Sequence, residues 1–423
     1  MNNMETSIFR SFLRPTILFK PHIFSSRIPV KFLTKSMKQL RKITGTGNLF
    51  QGEKKLFTPG PLGVSATTKE AMLRDVGSRD IEFIQLIKYI RRQLLIIAGV
   101  STNSYTAIPL QGSGTYAVEA VLLTSTPLAN GRVLILENGA YGKRMKKICE
   151  LANLKHEILS FNENEQVDVG KVETILKHDA NFTTVSIVHC ETSSGVINPI
   201  EKIGQLVKRY TTDTAYFVDA MSSFGAIPID METSHIDYLV SSANKCIQGV
   251  PGFSYAIARL DHLLNCKGNC HSLSLDLVDQ HLALEANGQF RFTPPTHAML
   301  AFNQALIEFN HEGGVKGRAI RYQENRLVIR DGMRKLGFKE LLDDSHKGYI
   351  ITSFHFPKDN NFKFEEFYNR LNEMGQVIYP GKVTNADCFR IGNIGHLFPE
   401  DMKHLLSCIE IVCQQMNIKL PVK

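Results

Sequence analysis

The sequence lacks any apolar run long enough to cross a membrane. Its strongest apolar segments, such as VLILEN at residues 133–138 and TTVSIVHC at 183–190, are far shorter than the roughly 20 residues that a membrane-spanning helix needs. The start of the chain also lacks the uninterrupted apolar centre of a secretory signal. We therefore expect no membrane partner.

Outside residues 1–52 the sequence has no excess of either charge. That segment holds nine of the 49 basic residues but one of the 41 acidic residues, so it accounts for the net charge of +8 and leaves 40 of each sign. A neutral body gives no support for a nucleic-acid partner. The basic, acid-poor segment is typical of a mitochondrial targeting leader, which we expect to be disordered. The alternative is a basic tail that carries no address.

The eight cysteines follow neither the pattern of a disulfide framework nor that of a metal finger. Without a secretory signal we expect reduced thiols. Cys266, Cys270 and His271 form the cluster CKGNCH, but no second pair stands at metal-finger spacing. We predict no metal site.

The chain between residues 53 and 300 alternates short β-rich runs with helical periods, which indicates a large α/β domain with a mainly parallel sheet. Beyond it, a long polar-faced helix, short strands and a final helix predict a smaller α+β domain at residues 301–423. Strands are predicted at residues 132–138, 183–190, 215–220 and 237–243, and their unbroken apolar runs are typical of burial on both faces.

The segment QGSGT, from Gln111 to Thr115, stands directly ahead of an apolar-periodic helix. Free backbone N–H groups at a helix start, beside the Ser113 and Thr115 hydroxyls and two glycines, can bind a phosphate. Taken alone, this pattern is more often a simple helix N-cap.

Asp219 and Lys245 stand at the ends of two successive predicted strands. A carboxylate at the end of a buried strand is costly unless it is paired, so Asp219 either holds a cationic group such as a protonated ring nitrogen or caps the next turn. A lysine in the same crevice would have a lowered pKa and could form a Schiff base. An ordinary surface lysine is the alternative for Lys245.

A phosphate site, a carboxylate for a ring nitrogen and a Schiff-base lysine occur along the chain in that order. These are the three groups that pyridoxal 5′-phosphate requires of a protein. Tyr141, which follows the strand at 132–138, could stack on a flat cofactor ring or be a loop tyrosine. The joint occurrence favours pyridoxal phosphate as the cofactor.

Several long motifs carry a resemblance to a known family: QGSGTYAVEAVL, NGAYGKR, HCETSSGVINPI, VDAMSSFGAIPID, SANKCIQGVPGF, RFTPPTH and RIGNIG. They resemble the 2-aminoethylphosphonate:pyruvate transaminases, within the alanine–glyoxylate aminotransferase group of fold-type I pyridoxal-phosphate enzymes. The resemblance covers nearly all of residues 55–423. It implies a large domain with a mainly parallel seven-stranded sheet, and a smaller C-terminal domain to which the N-terminal segment contributes.

The resemblance also implies a role for each matching residue. It makes Lys245 the Schiff-base lysine, Asp219 the partner of the ring nitrogen, and Tyr141 the stacking residue. Thr293 would reach the phosphate of the other subunit's cofactor, which implies a homodimer with shared active sites. Cofactor contacts are further expected from Ser113, Gly114, Thr115 and Asn244 at the phosphate and from Thr192 near the phenolic oxygen.

Arg390 matches the position that binds the anionic end of both substrates in this family. A guanidinium binds a carboxylate or phosphonate with two parallel hydrogen bonds, which a lysine does poorly. The alternative is a strand arginine paired with a surface acid. The implied reaction transfers the amino group of 2-aminoethylphosphonate to pyruvate. Alanine–glyoxylate or serine–pyruvate transamination on the same fold stays open, as does a binding scaffold without catalysis.

Overall fold

The computed structural model describes residues 53–343, 346–381 and 386–422. The leader predicted at residues 1–52 lies outside the described residues, so its targeting role stays a prediction. The strands are β1 (Lys55–Leu56), β2 (Tyr105–Gln111), β3 (Arg132–Glu137), β4 (Lys155–Ser160), β5 (Thr184–Val188), β6 (Cys190–Glu191), β7 (Val196–Ile197), β8 (Ala215–Asp219), β9 (Tyr238–Ser242), β10 (Phe253–Arg259), β11 (Ile351–His355), β12 (Gln376–Val377), β13 (Tyr379–Pro380) and β14 (Cys388–Gly392).

Helices alternate with these strands along the chain. They are α1 (Ala66–Glu70), α2 (Ile81–Ala98), α3 (Gly114–Ser125), α4 (Ala140–Leu151), α5 (Val169–His178), α6 (Ile200–Tyr210), α7 (Leu260–Asn265), α8 (Leu277–Asn287), α9 (Thr296–His311), α10 (Gly314–Lys335), α11 (Phe364–Glu373) and α12 (Pro399–Gln415). In the described part of the chain, none of them is long and apolar enough to span a bilayer.

The central sheet has seven strands in the order β2-β10-β9-β8-β5-β3-β4. Strand β10 pairs antiparallel with both of its neighbours, and the other neighbouring strands pair parallel. The α/β class and the mainly parallel seven-stranded sheet are therefore confirmed. The four predicted strands correspond to β3, β5, β8 and β9. Every residue of β5, β8 and β9 is buried, as expected of parallel strands covered on both faces.

The helix α6 shows how the sequence covers the sheet. Ile203, Leu206 and Val207 are buried, at the three- and four-residue spacing that places side chains on one helix face. Glu201, Lys202 and the other polar positions of the helix face outward. The apolar stripe packs on the sheet, and the charged stripe faces solvent.

The buried apolar side chains form two main cores. The first, which we call the large lobe, contains the seven-stranded sheet and its helices through Phe309 of α9. The second, the small lobe, contains the second half of α10 from Ile329 onward, the sheet β11-β14-β13, the last two helices, and Phe57 next to β1. The boundary predicted after residue 300 falls inside α9, whose buried side chains pack in the large lobe.

A third, smaller apolar cluster contains residues from both lobes and from the segments between them. Cys246, just after the end of β9, and Ile394, just after β14, both belong to it, together with Tyr322 of α10. The cluster thus brings the chain that follows Lys245 close to the chain that follows Arg390. The two segments are far apart in sequence, and this apolar contact holds them next to each other.

Candidate active site

Seven of the predicted site residues line one cavity of about 220 Å³. The cavity lies outside the carboxyl ends of the parallel strands, where ligands bind in open α/β sheets. The helix start after β2, the helix start after β3, the end of β8 and the turn after β9 all contribute to it. The predicted residues that line it are Ser113, Gly114, Thr115, Tyr141, Asp219, Asn244 and Lys245.

The predicted phosphate cradle is the start of α3. Ser113 occupies the N-cap position in extended backbone, but its side chain makes no capping hydrogen bond to the helix. The hydroxyl and the first N–H groups of the helix are therefore available to an anion. A Cβ atom at Gly114 would lie 2.2 Å from the Met221 methyl group, so glycine lets the start of α3 pack closely against Met221. Ser113 is thus the N-cap residue by position, but its side chain does not cap the helix.

Asp219 is a buried carboxylate at the end of β8, with 5% of its surface exposed. One of its oxygens accepts a hydrogen bond from the Met221 N–H at 2.9 Å. Burial raises the pKa of Asp219 to about 6. The bond from Met221 and the nearby cations lower this pKa, but they offset the effect of burial only in part. No ion pair of Asp219 occurs within the described ranges, so the carboxylate is suited to a cationic group that enters the cavity.

Lys245 lies just beyond β9, and its side chain reaches the segment that contains Pro59. Its Nζ donates to the Pro59 carbonyl at 2.7 Å. Gly60 has φ +129°, and a Cβ atom there would lie 2.7 Å from Nζ, so glycine is needed beside the amine. Burial lowers the pKa of Lys245 from its ordinary value. A larger neutral fraction makes the amine a better nucleophile and base.

Tyr141 lies in the first turn of α4, with Arg144 one turn later in the same helix. The Arg144 guanidinium carbon lies 4.9 Å from the centre of the Tyr141 ring, and its Nη1 donates to Thr115 Oγ1 at 3.1 Å. Arg144 also lines the cavity. It therefore links the predicted stacking residue to the predicted phosphate cradle. The motif NGAYGKR contains Arg144, but no role was predicted for it. Its three-residue spacing from Tyr141 on the same helix was the available signal.

Glu191 is a second residue that the sequence analysis missed. It is fully buried, and its carboxylate accepts from the Tyr141 N–H at 3.1 Å and from the Ser193 hydroxyl at 2.5 Å. Burial raises the pKa of Glu191. These bonds join the start of α4 to the turn that contains Thr192, whose side chain is also buried. Glu191 thus fixes two walls of the site relative to each other.

Arg390 lies in β14 of the small lobe, with 1% of its surface exposed. Its Nη1 donates to the Thr192 carbonyl at 2.6 Å and its Nε to the Pro380 carbonyl at 2.9 Å, and Tyr379 packs on the guanidinium at 4.9 Å. Among the residues that the structure describes, no carboxylate forms an ion pair with it. The alternative of a strand arginine paired with a surface acid is therefore not what these residues show. A buried cation held by two carbonyls suits an anionic ligand.

Thr293 is placed apart from these residues. It is exposed, in the loop between α8 and α9, and does not line the cavity. Its predicted role toward the cofactor of a second subunit is untested and stays a prediction. Thr192 and Arg390 are joined to each other by a hydrogen bond but lie outside the cavity lining.

A larger cavity, of about 520 Å³, lies at the opposite edge of the sheet, beside the amino ends of β5, β8 and β9. The Arg259 Nε in its wall pairs with the Asp237 carboxylate at 2.6 Å. The His262 ring is within hydrogen-bond distance of the Tyr238 hydroxyl, at 2.8 Å. The polar groups of these two pairs therefore already have hydrogen-bond partners within the protein. Over residues 53–343, 346–381 and 386–422, no group of three or more His, Cys, Asp or Glu side chains is arranged to hold a metal ion.

The sequence is similar to several proteins that are named as transaminases. It is 51% identical over 356 residues to a 2-aminoethylphosphonate–pyruvate transaminase of Salmonella paratyphi C, covering 84% of this chain and 96% of that protein. It is 49% identical over 361 residues to the enzyme of that name from Phocaeicola vulgatus, covering 85% and 99%. A bifunctional phosphonoacetaldehyde hydrolase/aminoethylphosphonate transaminase of Clostridioides difficile is 47% identical, but this chain spans 56% of its length.

Solved structures show the same fold at much lower identity. Ureidoglycine–glyoxylate aminotransferase from Bacillus subtilis superposes with a TM-score of 0.79 at 22% identity, over 88% of this chain and 96% of that one. Pyridoxamine–pyruvate aminotransferase from Mesorhizobium loti gives 0.79 at 23% identity, over 87% and 94%. The predicted fold-type I architecture is thereby confirmed. The family model for class-V aminotransferases matches residues 65–385, and the chain belongs to this family.

Proposed function

We propose that this protein transfers the amino group of 2-aminoethylphosphonate to pyruvate, giving phosphonoacetaldehyde and L-alanine. The observation that carries the proposal is the pairing of two sites. One is a cavity lined by Lys245 and Asp219, and the other is a buried arginine without an acidic partner among the described residues. An amine and an anion at the two ends of one small substrate fit this arrangement. The near-50% identity to enzymes named for this reaction supports the choice of amino donor.

The cavity fits pyridoxal phosphate, the cofactor of class-V aminotransferases. The uncapped helix start at Ser113 and the Thr115 hydroxyl suit its phosphate, and Tyr141 suits its ring face. When bound, the cofactor supplies an electron-accepting ring that stabilises negative charge at the carbon that bears the amino group. Asp219, buried and in no ion pair within the described residues, would keep the ring nitrogen protonated.

Lys245 is the proton carrier of the proposed reaction. Its depressed pKa favours the neutral amine, which takes the proton from the donor carbon next to the nitrogen. The ammonium so formed would give this proton to the aldehyde carbon of the cofactor, and in the second half Lys245 would move a proton from that carbon to the carbon that becomes Cα of alanine. The Pro59 carbonyl, 2.7 Å from Nζ, holds the amine at the cavity wall between these steps.

Arg390 binds the anionic end of each substrate in turn. Two of its nitrogens are fixed by carbonyl acceptors, so the orientation of the guanidinium plane is set before a substrate arrives. The same guanidinium donates hydrogen bonds to the phosphonate of the amino donor and to the carboxylate of pyruvate. Because both substrates use one cation, they bind alternately, as a two-half reaction requires.

The experiment that tests this function is a product assay. Purified protein supplied with pyridoxal phosphate, 2-aminoethylphosphonate and pyruvate should form alanine and phosphonoacetaldehyde in equal amounts. Omission of either substrate should stop multiple turnover. A protein that binds the cofactor but forms neither product with this pair would contradict the proposal. Alanine–glyoxylate or serine–pyruvate transamination would then be the next reaction to test.

We also propose that the active enzyme is a homodimer with shared active sites. Thr293 is exposed and does not line the cavity of its own chain, which supports a role toward a second copy. The neighbouring Phe292 and the Tyr116 side chain near the phosphate cradle are also exposed apolar groups. Sedimentation should give twice the chain mass, and Thr293→Ala should weaken cofactor binding without changing that mass. A monomer with full activity would contradict this.

For localisation we propose the mitochondrion. The support is the composition of residues 1–52, which are basic and nearly free of acids. The segment fused to a fluorescent protein should direct it to mitochondria. A variant with Arg10, Arg14 and Arg27 changed to Glu should not be imported. Cytosolic fluorescence of the unchanged fusion would contradict the proposal.

A further inference from the structure

Gln248 occupies an unusual position three residues after Lys245. It has φ +66°, a left-handed conformation that residues other than glycine rarely adopt. Its N–H donates to the Lys245 carbonyl at 2.7 Å and closes the turn that carries the lysine. The side chain is buried, with 4% of the residue exposed. A strained, buried polar residue of this kind persists when its surroundings hold it in place.

The groups that hold Gln248 belong to the chain around the anion site. Its Nε2 donates to the Tyr322 hydroxyl at 2.6 Å and to the Gly395 carbonyl at 2.7 Å. The Tyr322 hydroxyl accepts a second bond from the Gly395 N–H at 3.1 Å. Gly395 follows Arg390 by five residues, just beyond the end of β14. One buried amide therefore joins the turn of the lysine to the loop that follows the arginine.

A second set of contacts joins the same two segments. Arg318 donates to the Cys246 carbonyl, next to Lys245, and its Nε donates to Glu312 at 2.8 Å. Arg321 donates to the same Glu312 at 2.8 Å and to the Gly395 carbonyl at 2.7 Å. This route uses neither the Gln248 amide nor the Tyr322 hydroxyl. Loss of either group should therefore leave the lobes packed together.

The two ends of the substrate are held by residues from different lobes. Lys245 acts at the amino end and follows a strand of the large lobe, whereas Arg390 binds the anionic end from a strand of the small lobe. No single element carries both groups, so their separation depends on contacts between the lobes. An error of about 1 Å in such a separation can cost roughly 100-fold in rate.

We propose that Gln248, Tyr322 and Gly395 form a tie that sets the span between Lys245 and Arg390 and so selects the length of the amino donor. The proposal rests on the function proposed above for the same site. The Gln248 and Tyr322 side chains do not line the cavity and are not among the hydrogen-bond partners of the Arg390 guanidinium in the described residues, so they are positioning residues. Loosening the tie should leave cofactor binding intact while it changes which donor length fits.

The test uses two variants of the cofactor-loaded enzyme. Tyr322→Phe removes the hydroxyl that accepts both bonds. Gln248→Gly removes the amide but keeps a residue that adopts positive φ without strain. Donor affinity is read from the spectral change of the bound cofactor when 2-aminoethylphosphonate or its homologue 3-aminopropylphosphonate is added without pyruvate. Steady-state kinetics give KM and kcat for the same donors.

We expect both variants to raise the KM and the dissociation constant for 2-aminoethylphosphonate about tenfold, the factor that corresponds to about 1.4 kcal/mol. The preference for the shorter donor should fall by about fivefold, and the cofactor dissociation constant should stay unchanged. The matched control is Tyr216→Phe, which removes a buried hydroxyl bond of 2.9 Å to the Ile200 carbonyl within the large lobe. It should lower thermal stability without changing donor preference.

An unchanged donor preference in both variants, or the same change in Tyr216→Phe, would overturn the tie. Failure of the proposed function gives a different result, because the bound cofactor of the wild-type protein would then show no spectral change with either phosphonate. In that event the same comparison is made with serine and alanine against their longer homologues, and the tie predicts the same loss of length preference.

Discussion

The proposed cofactor cavity and the proposed anion site are built in different ways. The cavity is formed by short segments at the carboxyl ends of neighbouring strands of one sheet, so Ser113, Asp219 and Lys245 are positioned by a single rigid element. Arg390 lies in a separate small sheet and is held by the carbonyl of Thr192, 198 residues earlier in the chain. The first site depends on strand order and the second on contacts between lobes. Changes in the first should affect the cofactor, and changes in the second the substrates.

The largest effect is expected from Lys245→Ala. Turnover should fall by about 10⁴-fold and the visible absorbance of the bound cofactor should disappear, because no other lysine of the described chain lines the cavity. Absorbance spectra and the product assay measure both. Lys143→Ala, which removes an exposed lysine paired with Glu163, is the matched control. Retained absorbance and turnover in Lys245→Ala would refute the assignment.

Arg390→Lys tests the other half of the comparison. We expect kcat/KM to fall roughly 100-fold for both substrates, because an ammonium cannot replace the two-pronged contact. The visible absorbance should be retained, since the cavity is untouched. Arg370→Lys, at an exposed arginine paired with Glu366, should have no effect. Unchanged kinetics in Arg390→Lys would mean that another group binds the anion.

The raised pKa of Asp219 predicts a pH dependence of the cofactor-free protein. Burial raises this pKa from 3.8 to about 6, so between these values the folded state binds more protons than the unfolded state. Stability therefore falls as pH rises from about 4 to about 6, by about 2–3 kcal/mol at 1.36 kcal/mol per pKa unit. Asp219→Asn should lose this part of the pH dependence. Urea unfolding of both cofactor-free proteins at pH 4 and pH 7 gives the difference, and parallel pH profiles would contradict it.

A smaller effect is expected from Arg144→Met. The change removes the contact of the guanidinium with the Tyr141 ring and its bond to Thr115. The dissociation constant of the cofactor should rise about tenfold, with KM for pyruvate little changed. Fluorescence titration with pyridoxal phosphate measures the first value. Arg209→Met, at an exposed arginine 6.0 Å from the Tyr210 ring, is the control and should bind the cofactor normally. Equal affinity in both variants would exclude a role for Arg144.

The sequence was sufficient to predict the fold and to predict that the candidate cofactor residues of the large lobe lie together. Strand ends are recognisable because each buried apolar run stops at a polar or glycine-rich segment, and in a parallel sheet those ends share one edge. The amino-acid pattern alone therefore predicts that Asp219 and Lys245 lie together. Their proximity follows from the local pattern and the order of the strands.

The residues that the sequence analysis missed depend on contacts over long distances. The bond between Gln248 and Tyr322 joins positions 74 residues apart, and no periodicity in either segment indicates it. Glu191 stands next to a predicted site residue, but its burial and its bond to Tyr141 follow from how β6 meets the start of α4. The proposed role of Thr293 depends on a second chain, which one sequence does not place.

The central claim is the identity of the amino donor, and competition between donors tests it most directly. With pyruvate as acceptor for 2-aminoethylphosphonate and serine, and glyoxylate as acceptor for alanine, kcat/KM is compared for the three donors. The account predicts that 2-aminoethylphosphonate is preferred by about 100-fold, because in the proposed site Arg390 binds the phosphonate and the tie sets its span from Lys245. A preference for serine or alanine would contradict it.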